Sequence, residues 1–338
     1  MKAVLRWIAF ATGGLVVVVT LAFGFLMHRF DAPGPLAGPS IVVVGKGAGV
    51  GAIAELLARQ GVLRSAFIFE AGVRVSRAGS ALRAGEYEFP GHASARDVMD
   101  ILRAGRTVVR KLTAPEGMTT PQIIALVTAA HGMDGLVGPM PQEGELLPDT
   151  YHYSWGDGRV DMIVRMEKAM SETVARLWRD RAPDVPLTRP ADAVILASIV
   201  EKETGKPEER ARIAGVFYNR LRRGMPLQSD PTVAYDRALA AGIPERVLGR
   251  ALTRKDLETP GPFNTYLNRG LPPEPICNPG IAALTAVLHP EKTDALYFVA
   301  DGNGGHAFAR TLDEHNANVR RWRKLRKEAR DGEAGAAP

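Results

Sequence analysis

The chain is poor in everything that would make it a disulfide or metal protein. Its 338 residues contain one cysteine, Cys277, so no internal disulfide can form and the fold must rest on its core. Cys277 lies in PPEPICNPG, a proline-rich loop with no local base to activate a thiol nucleophile. The seven histidines, at 28, 92, 131, 152, 289, 306 and 315, are scattered. None pairs at the i,i+4 spacing of a zinc hydrolase, and metal catalysis is set aside. His306, in GGHAF, reads as structural. No G-x-S-x-G elbow marks a serine hydrolase. GKGAGVG stands between a strand pattern and a helix pattern but meets neither G-x-G-x-x-G nor the P-loop spacing. Its glycines read as a tight turn, and nothing else in the chain asks for a cofactor. Zinc-finger, RRM and helix-turn-helix signatures are also missing. The net charge of +6 is largely local to NVRRWRKLRKEAR (Asn318 to Arg330), read as a solvated helix. Nucleic acid is therefore not expected as a partner.

Only one long apolar run is present. WIAFATGGLVVVVTLAFGFLM, Trp7 to Met27, carries no charge and has the length of a bilayer span. Lys2 and Arg6 precede it, so the positive-inside rule places residues 1–6 in the cytoplasm. A cleaved signal peptide is the rival, but no convincing small-x-small site directly follows the core. We expect an uncleaved anchor over 7–27, a Pro/Gly linker over 28–40, and the rest outside the cytoplasmic membrane.

Beyond the linker the patterns alternate. IVVV (Ile41 to Val44) and LRAGEYEFP (Leu82 to Pro90) read as strands, IAELLARQ as a helix. SARDVMDILRAG is a helix with Ser94 as cap, Asp97 completing a capping box and Gly105 ending it. TVVRKLTAPEG reads as another strand. TTPQIIALVTAAHG starts a helix with Thr120 as cap and Pro121 at its first position. From Gly144 on, loops rich in Pro, Asn, Asp, Gly and Tyr take over: EGELLPDTYHY, LQSDPTVAYD, ETPGPFNTYLNRGLPPEPICNPG and FVADGNGGHAFA, the last a predicted hairpin. Such loops suit a carbohydrate cleft, where amides and acids meet hydroxyls and aromatic faces cover rings. Ordinary turn chemistry uses the same residues.

One stretch singles out a carboxylate. In ILASIVEKETG (Ile195 to Gly205) the apolar residues cover every side of a helix, the mark of a buried one. Glu201 follows Val194 by two turns on the same face. Either it belongs to a solvated last turn capped by Gly205, or it is an acid held in an apolar cleft, with its pKa raised towards neutrality. Glu203 points to roughly the opposite side. A conventional glycosidase needs a second carboxyl, for which Asp230 and Asp149 are candidates.

Four motifs in order, LASIVEKETG, RIAGVFYNRLRRGMPLQSDPTVAYD, LETPGPFNTYLNRGLPPEPICNPG and HPEKTDALYFVADGNGGHAFARTLDEHN, resemble the YceG-like endolytic murein transglycosylases, bacterial inner-membrane enzymes. The resemblance runs from about Ile41 to Arg320 and includes the anchor and EGELLPDTYHY. It implies an α+β protein with an N-terminal transmembrane helix, a small LysM-like subdomain (41–110), a mixed helical and β-hairpin catalytic domain (111–325) and a disordered tail (326–338). It implies cleavage of the MurNAc–GlcNAc β-1,4 bond within nascent glycan strands, leaving 1,6-anhydroMurNAc ends without a cofactor. One glutamate then suffices, because the muramyl C6 hydroxyl replaces water and the second carboxylate. The family's catalytic glutamate falls in IVEKE, and Glu201 is the position matched to it. Gln228, Asp230, Asn264, Tyr266 and Asn278 are expected in the cleft from the resemblance of their loops, with Glu145 as a further candidate. The family often carries a bulky aromatic where this chain has Leu146 and Leu147. Glycan strands, the membrane and peptidoglycan synthases are the partners implied. The rival functions are a muramidase on the same fold and a non-catalytic wall-binding scaffold.

Overall fold

The computed structural model describes residues 2–335, with side chains over 4–328. The chain divides into two compact units, Met1–Lys111 with His152–Asp157, and Leu112–Tyr151 with Gly158–Pro338.

The first unit is built from α1 (Lys2–Asp31), β1 (Ser40–Val44), α2 (Val50–Arg59), α3 (Ala66–Val75), β2 (Gly85–Phe89) and α4 (Ala95–Ala104). β1 and β2 pair antiparallel, with Val42 opposite Tyr87 and Val44 opposite Gly85. Alternation turns Val42, Val44, Tyr87 and Phe89 inward, onto Leu57, Phe69 and Leu102 of the helices. α4 has its capping box, with Ser94 and Asp97 bonded reciprocally, and Gly105 ends it at φ 65°. α3 is the helix that periodicity misses, because Gly72, Val73 and Val75 weaken its helical propensity.

α1 is apolar and long enough to cross a membrane. It continues past Met27 into the stretch expected to be linker. Phe30 is fully buried in the core of this unit, with its ring against Gly72, where any added side chain would overlap it. Arg96 stacks over Phe30 at 5.2 Å and pairs with Asp31 at 2.5 Å. Phe30, just beyond the apolar run, and the Arg96–Asp31 pair tie the end of α1 to this core.

β3 (Arg110–Thr113) and β4 (Thr150–Tyr153) form a two-stranded ribbon, and the division between the units falls within these strands. The second unit holds α5 (Thr120–Ala129), α6 (Arg159–Arg179), α7 (Pro190–Glu203), α8 (Arg210–Arg222), α9 (Asp230–Ala240), α10 (Arg254–Glu258), α11 (Ile281–Leu288), β5 (Tyr297–Ala300), β6 (His306–Ala309) and α12 (Leu312–Gly335). The class is α+β. α5 is capped by Thr119 rather than Thr120, and Gln122 closes its capping box. LQSDPTVAYD is largely helical rather than loop: Pro231 falls in the first turn of α9, where a missing N–H costs nothing. The β5–β6 hairpin is present, with Phe298 opposite Phe308 and Ala300 opposite His306. α12 continues over 326–335, where the sequence led us to expect a disordered tail; 336–338 lie outside the described residues.

α7 is the axis of this unit. Every residue from Asp192 to Val200 is buried, among apolar side chains of α6, α8 and α11. It starts at Pro190, and Asp192 accepts a hydrogen bond from Arg189 N at 3.3 Å. It ends at Glu203, because Thr204 is extended at φ −140°, ψ 135°; Gly205 does not cap it.

Candidate active site

The end of α7 delivers two glutamates about 200° apart. Glu201 is 5% exposed along its side chain, and both its oxygens are engaged. Arg210 Nη2 donates to Oε1 at 3.0 Å, and Gly280 N donates to Oε2 at 3.0 Å. Arg210 also faces Glu116 at 3.7 Å, whose carboxylate sits where a side chain at position 280 would be. Glu116 is raised above the usual carboxylate range by burial and by the charge of Glu201, against the pull of Arg210. Glu201 thus ties the end of α7 to α8 and to the residue before α11.

Glu203 faces the other way, towards the start of α9. Ser229 Oγ donates to its Oε1. Part of the residue stays open to solvent, but the packing around the carboxyl pushes its pKa up to about 7. The Ser229 hydrogen bond opposes that rise, the charge of Asp230 adds to it, and His306 and Arg220 oppose it. Tyr266 donates its hydroxyl to Asp230 Oδ1 at 2.6 Å. The Tyr266 phenol is itself raised by burial and by that bond.

Buried Arg220 organises this corner. Its Nε donates to Leu296 O at 2.6 Å, and its Nη1 to Leu227 O at 2.8 Å and to Gln228 Oε1 at 3.3 Å. Burial lowers its pKa. Gln228 N donates to Thr265 O at 3.0 Å, and Ser229 N to Thr265 Oγ1 at 3.0 Å. These bonds hold Gln228 at φ 53°, a conformation a non-glycine residue keeps only when its surroundings impose it. On the hairpin, His306 N donates to Glu209 Oε1 at 2.9 Å, and its Nδ1 lies 2.7 Å from Oε2. Burial raises the Glu209 pKa, but the bonds from His306 outweigh it and the carboxyl titrates low. Beside Asp230 opens a groove of about 530 Å³, with Lys202, Pro231, Ala234, Leu248 and Ile276 in its lining.

Three of the residues expected in the cleft, Gln228, Asp230 and Tyr266, therefore gather on the side of Glu203, away from the ties of Glu201. The other three have structural roles. Asn264 is buried, donates to Leu257 O and Thr259 O, and accepts from Tyr266 N at 2.9 Å, so it builds the turn that presents Tyr266. Asn278 is fully buried; it accepts from Leu146 N at 2.9 Å and donates to Met118 O, Thr120 Oγ1 and Glu143 Oε1. Glu145 accepts from Gln142 N at 2.7 Å and lines a separate cavity with Met170 and Val174. Leu146 and Leu147 are buried and have no face to offer a sugar. Asp149 accepts from Thr150 N. The Cys277 thiol is buried, raised well above its ordinary pKa by burial, and donates to Ser198 O at 3.3 Å. Ser229, Arg220, Glu209 and His306 join the cluster without having been singled out as functional by sequence.

α7 thus ends in a raised carboxyl, and the neighbouring Asp230 lines a mainly apolar groove that also holds Tyr235 and Lys202. A model of the YceG-like family matches residues 42–321. A protein of Bacillus subtilis (strain 168) named endolytic murein transglycosylase is 32% identical over 302 residues, covering 80% of this chain and 81% of that one. One of the same name from Streptococcus pneumoniae (strain R6) is 29% identical over 321 residues, and the match covers 82% of this chain but 57% of that protein. The crystal structure of a yceG-like protein from Listeria monocytogenes is 32% identical, with a TM-score of 0.54 over 83% of this chain and 98% of that one. On a match that runs from within β1 through the whole glutamate cluster, the chain belongs to the YceG-like family.

Proposed function

We propose that this protein is a membrane-anchored endolytic transglycosylase of peptidoglycan, and that its acid is Glu203 rather than Glu201. The observation that carries the assignment is the Glu203 carboxyl, pushed up to about 7 beside Ser229, Asp230 and Tyr266. A general acid works best with a pKa near the operating pH. Glu201, paired with Arg210 and bonded to Gly280 N, has no free oxygen to offer a substrate.

In this mechanism protonated Glu203 gives its proton to the bridging oxygen as the bond from C1 of MurNAc to O4 of GlcNAc breaks. Charge builds on an oxocarbenium-like ring. The Glu203 carboxylate then takes the proton of the MurNAc C6 hydroxyl as O6 closes on C1. The glutamate ends protonated, no water is consumed, and the product carries a 1,6-anhydro end. Tyr266 holds Asp230, and burial, with the Asp230 charge adding to it, keeps the proton on Glu203 between turnovers. The groove beside Asp230 would take the strand.

The β-α-α-β order of the first unit supports a LysM-like reading of 41–110 that binds glycan, with 111–325 as the catalytic part. The apolar α1 and the basic residues before it support a single-pass anchor, with the N-terminus in the cytoplasm and the catalytic part in the periplasm, near the synthases of nascent strands. One observation favours a second reading. Asp230 lies close enough to act on the Glu203 charge and could serve a muramidase as the base for water. Digestion of uncrosslinked glycan in ¹⁸O-labelled water separates the two. The transglycosylase gives unlabelled ends one water lighter than a reducing sugar, and labelled reducing ends would overturn it.

A further inference from the structure

The seating of α1 brings a cavity to the membrane boundary. Phe30 lies about 4.5 Å beyond Met27 along the helix axis, and it is already inside the core of the first unit. The span and the unit are therefore joined without a free linker. The headgroup layer is itself about 5–7 Å deep on each side, so the part of the unit around the end of α1 lies within it. This rests on α1 spanning the bilayer.

At that level is a cavity of about 370 Å³, with Arg29, Pro33, Arg64, Ser65, Ile68 and Ala95 in its lining. Arg29 and Arg64 are exposed. Neither forms an ion pair among the described residues, whereas Arg96 close by is paired with Asp31. Arg64 spends one donor, Nε, on Pro33 O at 3.3 Å and leaves its Nη groups for a ligand. Beside Ile68, in the first turn of α3, Phe67 is 72% exposed, an apolar side chain of the kind that interfacial segments bury at the headgroup and acyl boundary.

We infer that this cavity holds the phosphate of an anionic phospholipid: Arg29 and Arg64 clamp the phosphate, the Ser65 hydroxyl adds a polar contact, and Pro33, Ile68 and Ala95 cover the glycerol. The same chemistry could be met by free phosphate, but the position at the bilayer surface selects the lipid. The site fixes the first unit against the membrane.

The test uses the full chain in nanodiscs of phosphatidylcholine with and without phosphatidylglycerol, extracted gently and weighed by native mass spectrometry. Wild type should retain phosphatidylglycerol. The Arg29→Gln/Arg64→Gln variant should lose about twenty-five-fold in affinity, taking about fivefold per basic residue at an anionic surface. The charge-matched Arg59→Gln/Arg103→Gln variant, altered on α2 and α4 outside the cavity lining, should retain it. Equal retention by all three proteins, or equal loss by both variants, overturns the inference. Displacement of the lipid by inorganic phosphate would make this a site for the free anion and overturn the lipid assignment. Liposome flotation of wild type checks the anchor separately: a chain that fails to float refutes the spanning helix, and the lipid site with it.

Discussion

Replacing Glu203 with Gln should stabilise the fold at alkaline pH while removing the proposed acid. The carboxyl rises from an ordinary 4.5 to about 7. At about 1.4 kcal/mol per tenfold change in proton affinity, that costs the folded state about 3 kcal/mol once the group ionises. The folded protein binds this proton more tightly than the unfolded chain does. The contribution is therefore intact below about pH 4.5 and lost as pH rises through about 7. Solvent reaching the partly open side chain lowers the realised cost to about 2 kcal/mol. A glutamine never ionises and still accepts from Ser229. The variant should gain about 2 kcal/mol at about pH 8 and under about 1 kcal/mol at about pH 5. For a unit of this size the gain is about 4–8 °C in melting temperature at the higher pH. Thermal denaturation of the full chain in detergent, at both pH values, measures it. A Glu203→Gln protein that melts at or below wild type at both would refute the argument that Glu203 is held protonated by its surroundings.

Glu201→Gln should do the opposite, losing about 1–3 kcal/mol because Arg210 gives up its closer carboxylate and keeps only Glu116 at 3.7 Å; the same melts report it. The cleavage rate should fall above about pH 7 as Glu203 ionises. Asp230→Asn should move that limb to lower pH and His306→Asn to higher pH, since the Asp230 charge favours the proton and His306 opposes it; pH profiles of kcat with purified strands read both. Asn278→Ala should cost about 1–3 kcal/mol by stranding the buried Leu146 N–H, measured by denaturant titration.

Much of this was legible in the sequence because it rests on local signals. The Ser94–Asp97 box, Gly105 and the Gly/Asn turn of the β5–β6 hairpin each state their geometry in a few adjacent residues, and the buried character of α7 follows from its unbroken apolar run. That same run hid the site. The sequence favours Glu201, two turns after Val194, over Glu203, but a helix apolar on all sides has no privileged face to support that choice. The choice depends on what each meets: Arg210 and Gly280 N on one side, Ser229 and Asp230 on the other, all contributed by other segments of the chain. Asn264 and Asn278 are expected in the cleft from the resemblance of their loops, and their burial and hydrogen bonds to other segments are tertiary facts that a loop motif does not state. The helix runs on to Asp31, into the expected linker, because of a single Phe30 beyond the span, which carries no periodic signal.

The measurement that tests the account most directly is cleavage of purified, uncrosslinked glycan strands by wild type, Glu203→Gln and Glu201→Gln, each at a temperature where its melt shows it folded. Wild type should give 1,6-anhydro ends, Glu203→Gln none, and Glu201→Gln a retained rate per folded molecule. Activity kept by Glu203→Gln and lost by folded Glu201→Gln would contradict it and return the acid to Glu201.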